Sequence, residues 1–289
     1  MKRITESLLY GHLLSRVTSL PVTLEALEAA IKADLALGFI GTTIVHAVLD
    51  PKITNDQIVA LFVRLGAKAL VCGFLDGNGP DPLRQPFQAL ASLEPAATLA
   101  RMLYDAGCGP ATLVGPMHTL HRKQRTWDAA MFRRLDVWFG KLNEFGKKHG
   151  LKIACEALNS TEDSTPSPFQ TIKSAAAKYE NIYLHCDLGH LHSHGLGAEF
   201  LEEALQCIAF FEITNVGRSP LSKDRGIDFM ALFLIAERLP QDSVRGIEPF
   251  SKFVIKTFEL GDICDTTTDG PATAEIDAHY LEEIGMMAA

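Results

Sequence analysis

Apolar residues recur along this chain in two alternating rhythms. Stretches with the three-to-four-residue spacing of an amphipathic helix include TLEALEAAIKADLAL (Thr23–Leu37), DQIVALFVRLG and TWDAAMFRRLDVWFGKLNEFGKKHG (Thr126–Gly150). Each is followed by a short run that is apolar at nearly every position: FIGTTIVHAVL, AKALVCGFL and LKIACEAL respectively. The rhythm continues after Gly150, with FQTIKSAAAKYE, AEFLEEALQC and DFMALFLIAERL reading as helices before the runs NIYLHCDLG, IAFFEITNV and SVRGIEPF, and SKFVIKTFEL closing the pattern. A further helical stretch over about 85–106 leads through GCGP to ATLVG. Glycine after DQIVALFVRL has the position of a helix stop. Runs that are apolar throughout and separated by helices predict parallel strands covered on both faces.

Seven such strands follow from Ile40 onward, and an eighth, weaker one is read near Ser7–Ser15. Neither a GxGxxG turn nor a phosphate-binding loop follows any of them, which argues against an open doubly wound sheet. The prediction is a single-domain (β/α)8 TIM barrel over about 7–260, with a C-terminal extension and helix over about 262–289, close to the usual barrel length of about 250 residues.

Composition narrows the partners. The 289 residues carry 27 Lys+Arg against 35 Asp+Glu, a formal charge of −8. A nucleic-acid binder draws most of its affinity from basic residues on phosphates, and the one dense basic stretch here, His121–Arg125, is short. The expected partner is a small molecule or a cation, with no nucleic acid. No apolar run reaches the roughly 18 residues of a membrane span, and no signal-peptide core is visible near the start. The six cysteines lie far apart without a CxxC pair, and three of them, Cys72, Cys155 and Cys186, lie in or at the end of apolar runs and read as small core residues of a reducing, cytoplasmic protein.

A barrel assembles its chemistry at the carboxyl ends of its strands. Four consecutive predicted strands end in or contain a carboxylate: Glu156 (KIACEAL), Asp187 (IYLHCDL), Glu212 (AFFEITN) and Glu248 (VRGIEPF). A single acid at a strand end is usually a helix cap or an ion-pair partner. Four from neighbouring staves would repel one another and raise each other's pKa unless a cation sits among them. Oxygen ligands of this kind favour Mn2+, Mg2+ or Ca2+ over Zn2+. Around the same rim the sequence places Asn159 and Glu162, His190, Arg218, His118 and His121, and His46, which together offer donors and acceptors for a polyhydroxylated ligand. His192 and His194 read as solvated loop histidines.

EALNSTE, DLGH, the segment before Arg218 and GIEPF resemble the xylose-isomerase-like TIM-barrel superfamily, and within it the ketose 3-epimerases and sugar phosphate isomerase/epimerases. The resemblance extends in rhythm over about residues 20–260 and is specific over 152–250. It implies one divalent ion, most commonly Mn2+ with Mg2+, Co2+ or Zn2+ as alternatives. Glu156, Asp187 and Glu248 match three of its ligands, and Glu156 and Glu248 match its acid/base pair. Glu162, His190, Arg218 and His118 would contact the substrate. The resemblance places a histidine ligand six residues before Arg218, where this chain has Glu212. A glutamate often found near the second or third strand is also missing, with His46 and Asp76 in that part of the chain. The implied activity is epimerisation or isomerisation of a sugar or polyol through an enediolate. A dehydratase of cyclic polyols, a sugar- or metal-binding barrel without turnover, and an apurinic-site endonuclease with a histidine-rich zinc centre are the other readings of the same fold. Such barrels are often homodimers or homotetramers.

Overall fold

Eight parallel strands close into one barrel in simple chain order, each hydrogen-bonded to the next and the eighth to the first. The computed structural model describes residues 9–75, 79–116, 126–160, 162–215, 219, 221, 227–248 and 270–283. The strands are β1 Leu9–His12, β2 Gly41–Val45, β3 Lys68–Cys72, β4 Thr112–Val114, β5 Lys152–Glu156, β6 Ile182–Asp187, β7 Ile208–Ile213 and β8 Val244–Ile247. Nine α-helices lie among the described residues: α1 Leu24–Ala36, α2 Asn55–Leu65, α3 Pro86–Asp105, α4 Ala129–His149, α5 Pro168–Lys178, α6 Leu188–Ser193, α7 Ala198–Ala204, α8 Phe229–Ala236 and α9 Gly270–Glu283. The strand that the sequence marks least clearly, β1, is real and completes the closure. The helix expected over SKFVIKTFEL lies outside the described residues.

Local signals start and stop the helices where the polar pattern suggests. Thr54 opens α2 with a capping box, exchanging hydrogen bonds with Gln57, and Gly66 ends it at φ 64°. Asp128 accepts from Met131 N at the start of α4, and Gly150 closes it, again at φ 64°.

The strands separate two cores. Between the sheet and the helices, Ile31, Phe62, Trp138, Phe169 and Phe211 are fully buried. Inside the barrel, Tyr10, Leu70, Val114, Ala154, Ala209, Phe210 and Val244 form a second cluster drawn from strands alone. Filling the barrel with side chains makes it a plug with chemistry at one end rather than a pore.

Gly41 stands where β2 passes between Tyr10 of β1 and Lys68 of β3, and a Cβ there would fall inside the Lys68 carbonyl group. Because that neighbour is backbone, it cannot swing aside. Gly41→Ala is expected to cost at least about 1–3 kcal/mol, the usual range for overpacking. Urea unfolding measures the loss, and a midpoint within error of the wild type would show that the two strands can part.

The C-terminal helix α9 packs against the 3-10 turn Leu13–Ser15 that follows β1, with Ala278 and Leu281 buried and Tyr280 edge-on to Phe229 of α8. It therefore covers the barrel from within the same chain. Its Asp277 accepts a hydrogen bond from Leu221 N at 2.7 Å, tying α9 to the connection between β7 and α8. Burial pushes the Asp277 carboxyl up from 3.8 to about 7, against the lowering effect of that hydrogen bond. A carboxyl whose folded pKa lies above its unfolded value opposes folding once it ionises. That opposition is absent below about pH 4 and grows as the pH rises to about 7. Asp277→Asn keeps an acceptor for Leu221 N and removes the ionisation. Thermal unfolding from pH 4 to 8 should show the variant gaining on the wild type as the pH rises. Parallel curves would count against the ionisation.

Candidate active site

The four acids converge. Glu156 ends β5, Asp187 ends β6, Glu212 lies in β7 and Glu248 directly follows β8. One carboxylate oxygen from each lies within 4.8 Å of the others, and Glu156, Asp187 and Glu212 are buried while Glu248 is half-buried. The pairing register explains the convergence: Asp187 stands opposite Glu212, and Glu212 opposite Gly246, two residues before Glu248 on the same face.

Glu212 reaches this face through an irregularity. Leu184 of β6 pairs with Ile208, but His185 pairs with Phe210, so β7 carries one extra residue, Ala209. Ile208 packs among the outer core while Ala209 and Phe210 both point into the barrel. Strict alternation from an outward Ile208 would turn Glu212 outward. The bulge resets the phase and brings Glu212 inside.

Asp187 has two tasks. Its Oδ1 accepts from His190 N at 2.7 Å and from Thr214 Oγ1 at 2.6 Å, so it caps α6 while belonging to the acid group. The run NIYLHCDLG, which the sequence reads as a strand to its end, stops at Asp187, and DLGH opens that helix.

Each glutamate faces a histidine. Asn159 accepts from Glu162 N through Oδ1, which orients its amide and turns Nδ2 to His190 Nδ1 at 3.2 Å. The amide donates there, so Nδ1 accepts and the His190 proton sits on Nε2. That nitrogen lies 3.4 Å from Glu156 Oε1 and 3.3 Å from Glu162 Oε2. His12 Nδ1 likewise accepts from Leu14 N at 3.2 Å, leaving Nε2 3.6 Å from Glu248 Oε1. His185, one layer deeper on β6, places Nε2 2.7 Å from Glu212 Oε2 and Nδ1 3.7 Å from Glu156 Oε2. Burial raises the Cys72 thiol pKa well above its usual value, and the nearby Glu156, Glu248 and Glu212 raise it further. Inside the barrel that thiol stays protonated and inert.

Glu162 and His190 thus stand beside the acids, as the sequence suggests. His118, His121, Asp76 and Arg218 lie outside the described residues. His46 falls in a 3-10 turn after β2 rather than in the acid group, and its pKa is lowered by burial. His192 is exposed, but His194 corrects the loop reading: its Nε2 contacts Leu158 O at 2.9 Å and its ring meets Phe169 edge-on, tying α6 to the connection after β5. His12 and His185 were not expected. His185 was legible in principle, since two residues before an inward Asp187 is again inward.

The donor set fits a divalent ion. Ions with metal–oxygen bonds of about 2.0–2.6 Å hold their ligands within roughly 4–5 Å of each other, which is the spread seen here. Four acids at that spacing, three buried and one half-buried, repel one another when ionised, and a cation among them would relieve that repulsion.

No protein-family model matches the chain, and no curated protein matches it. Solved structures do. L-Ribulose 3-epimerase superposes with a TM-score of 0.79 at 17% identity, covering 96% of this chain and 94% of that one. D-Allulose 3-epimerase from Methylomonas sp. gives 0.77 at 17% identity, covering 96% and 97%. The fold is that of the ketose 3-epimerases. An AP endonuclease of family 2 from Brucella melitensis also shares it, with a TM-score of 0.64, 15% identity and coverage of 89% and 99%. The TIM barrel expected from the sequence is the observed architecture, and sugar epimerases are among its structural neighbours. Among the described residues no helix is long and apolar enough to cross a membrane.

Proposed function

We propose that this protein is a divalent-metal-dependent epimerase or isomerase of a sugar or related polyol. The observation that carries the reading is the group of four carboxylates from β5 to β8, gathered within 4.8 Å at the carboxyl end of a closed barrel. The 3-epimerases that share the fold support the choice of substrate class. Mn2+ suits the oxygen-rich donors best, with Mg2+, Co2+ and Zn2+ as alternatives. Glu156, Asp187, Glu212 and Glu248 would hold the ion.

When bound, the ion supplies Lewis acidity that makes the C–H beside a sugar carbonyl easier to ionise. The chain supplies the proton transfers. Glu156 and Glu248 are separated around the barrel by β6 and β7, so they face a central substrate from different directions. One takes the proton and the other returns one to the opposite face, which inverts the carbon. The His190 Nε2–H lies between Glu156 and Glu162, where it holds Glu156 in place and leaves Glu162 to accept from a substrate hydroxyl. His118 and Arg218 complete the proposed substrate contacts. The net charge of −8 and the four acids both disfavour the endonuclease reading.

The test is exchange. Mn2+-loaded protein incubated with a panel of ketoses and inososes in D2O should place deuterium on the carbon next to the carbonyl and yield the epimer or isomer. Loss of water from the substrate would assign a dehydratase instead. Bound Mn2+ with neither exchange nor product across the panel would favour a barrel that binds without turnover.

A further inference from the structure

Three of the four acids meet a histidine, but the histidines are not equivalent. His12 and His190 stand at the strand ends, at the level a substrate would occupy. His185 lies one layer below Asp187 on the inward face of β6, with 3% of its surface exposed. Its ring is tilted 51° against Phe210 at 4.5 Å. Phe210 in turn lies over Gly246, where a Cβ would come within 3.1 Å of its ring. Ring and backbone therefore fix the imidazole from one side, and the hydrogen bond to Glu212 fixes it from the other.

A carboxylate only accepts, so the 2.7 Å contact between His185 Nε2 and Glu212 Oε2 places the ring proton on Nε2. With Oε2 held from below, the other oxygen of Glu212 has its direction set. Resting on the reading that the acids hold a divalent cation, we propose that His185 is a positioning residue for that ion. It aims the Glu212 carboxylate from behind, reaching neither the ion nor the substrate. A flexible glutamate on a bulged strand is a poor ligand by itself, because several rotamers compete. The hydrogen bond from β6 removes that freedom before the ion arrives.

The experiment measures Mn2+ binding to metal-free protein by calorimetry, with circular dichroism confirming the fold. His185→Phe keeps the ring against Phe210 and deletes the N–H. It should weaken Mn2+ by about 10–100-fold, the usual cost of losing a supporting partner. His185→Gln, which retains an amide donor, should recover most of that loss. Combined with Glu212→Gln, His185→Phe should add almost nothing, because both act through one ligand. Co2+ serves as the spectroscopic probe. Its visible bands should be alike in wild type and His185→Phe, since no nitrogen leaves the ion.

Wild-type affinity in His185→Phe, or an effect that simply adds to that of Glu212→Gln, would overturn the proposal while leaving the proposed function intact. A changed Co2+ spectrum would overturn it by making His185 a ligand. A wild-type protein with no Mn2+ affinity would overturn both readings. Should the Phe variant not fold, His185→Ala is read in the same way.

Discussion

Changing Glu156 and Asp187 together to alanine should leave the purified protein without divalent cation, where the wild type carries close to one per chain. Each side chain contributes an oxygen to the group that spans 4.8 Å. Loss of even a supporting residue costs up to about 100-fold in metal affinity, so removing half of the oxygen donors should take Mn2+ binding below detection. Elemental mass spectrometry of the two proteins decides it. Chelation gives a second readout. A ligand at about 100 times its Kd stabilises a fold by about 2.7 kcal/mol, so chelator should lower the wild-type unfolding temperature and leave that of the double variant unmoved. The alanine at 187 also removes the cap of α6, worth about 0.5–2 kcal/mol. Asp187→Asn therefore belongs beside it, since the amide oxygen can still accept from His190 N. Equal metal content in wild type and double variant would place the ion elsewhere.

Glu248→Gln carries the second large effect. The amide keeps the size of the side chain and a carbonyl oxygen for a ligand role, but it cannot shuttle a proton. General acid–base groups contribute about 10²–10⁴-fold, and kcat should fall by that range once the substrate is known. Deuterium exchange beside the carbonyl should fall on the face served by Glu248 and persist on the face served by Glu156. Mn2+ content should decline far less than turnover. Full activity with full metal in Glu248→Gln would remove this residue from the acid/base pair. The contact from His12, 3.6 Å away, would then be structural.

Much of this site could be read from the chain because a charge at the end of an apolar run is costly and therefore conspicuous. Glu156, Asp187, Glu212 and Glu248 each lie in or close such a run, and the repeat of one βα unit between neighbours made a shared destination the economical explanation. The barrel was legible for the same reason: strands buried on both faces have no polar side to hide them. What escaped had no contrast. The strand β1 is only four residues long, so neither its period nor His12 at its end stood out. His185 sits inside a hydrophobic run, where a histidine reads as filler unless the inward phase is anchored on Asp187. The helix α6 spans six residues, too few for a helical period, and its start was absorbed into the strand run NIYLHCDLG. Asp277 lies on a C-terminal helix of mixed polarity, with nothing local to set it apart from an exposed acid. Its hydrogen-bond donor, Leu221 N, lies more than fifty residues earlier, which no local pattern reports.

The extra residue in β7 has a consequence for how this chain compares with its structural neighbours. At 17% identity, an alignment made from letters alone has little to hold it through IAFFEI, where apolar residues occupy both faces. Slipping the match by one position there exchanges the lumen for the outer wall, and Glu212 would be compared with an outward residue. Ala209 thus behaves as a reading-frame marker for the strand. Deleting it would leave Ile208 outward and Phe210 inward in strict alternation, so the ladder with β6 would become regular and Glu212 would keep its place in the barrel.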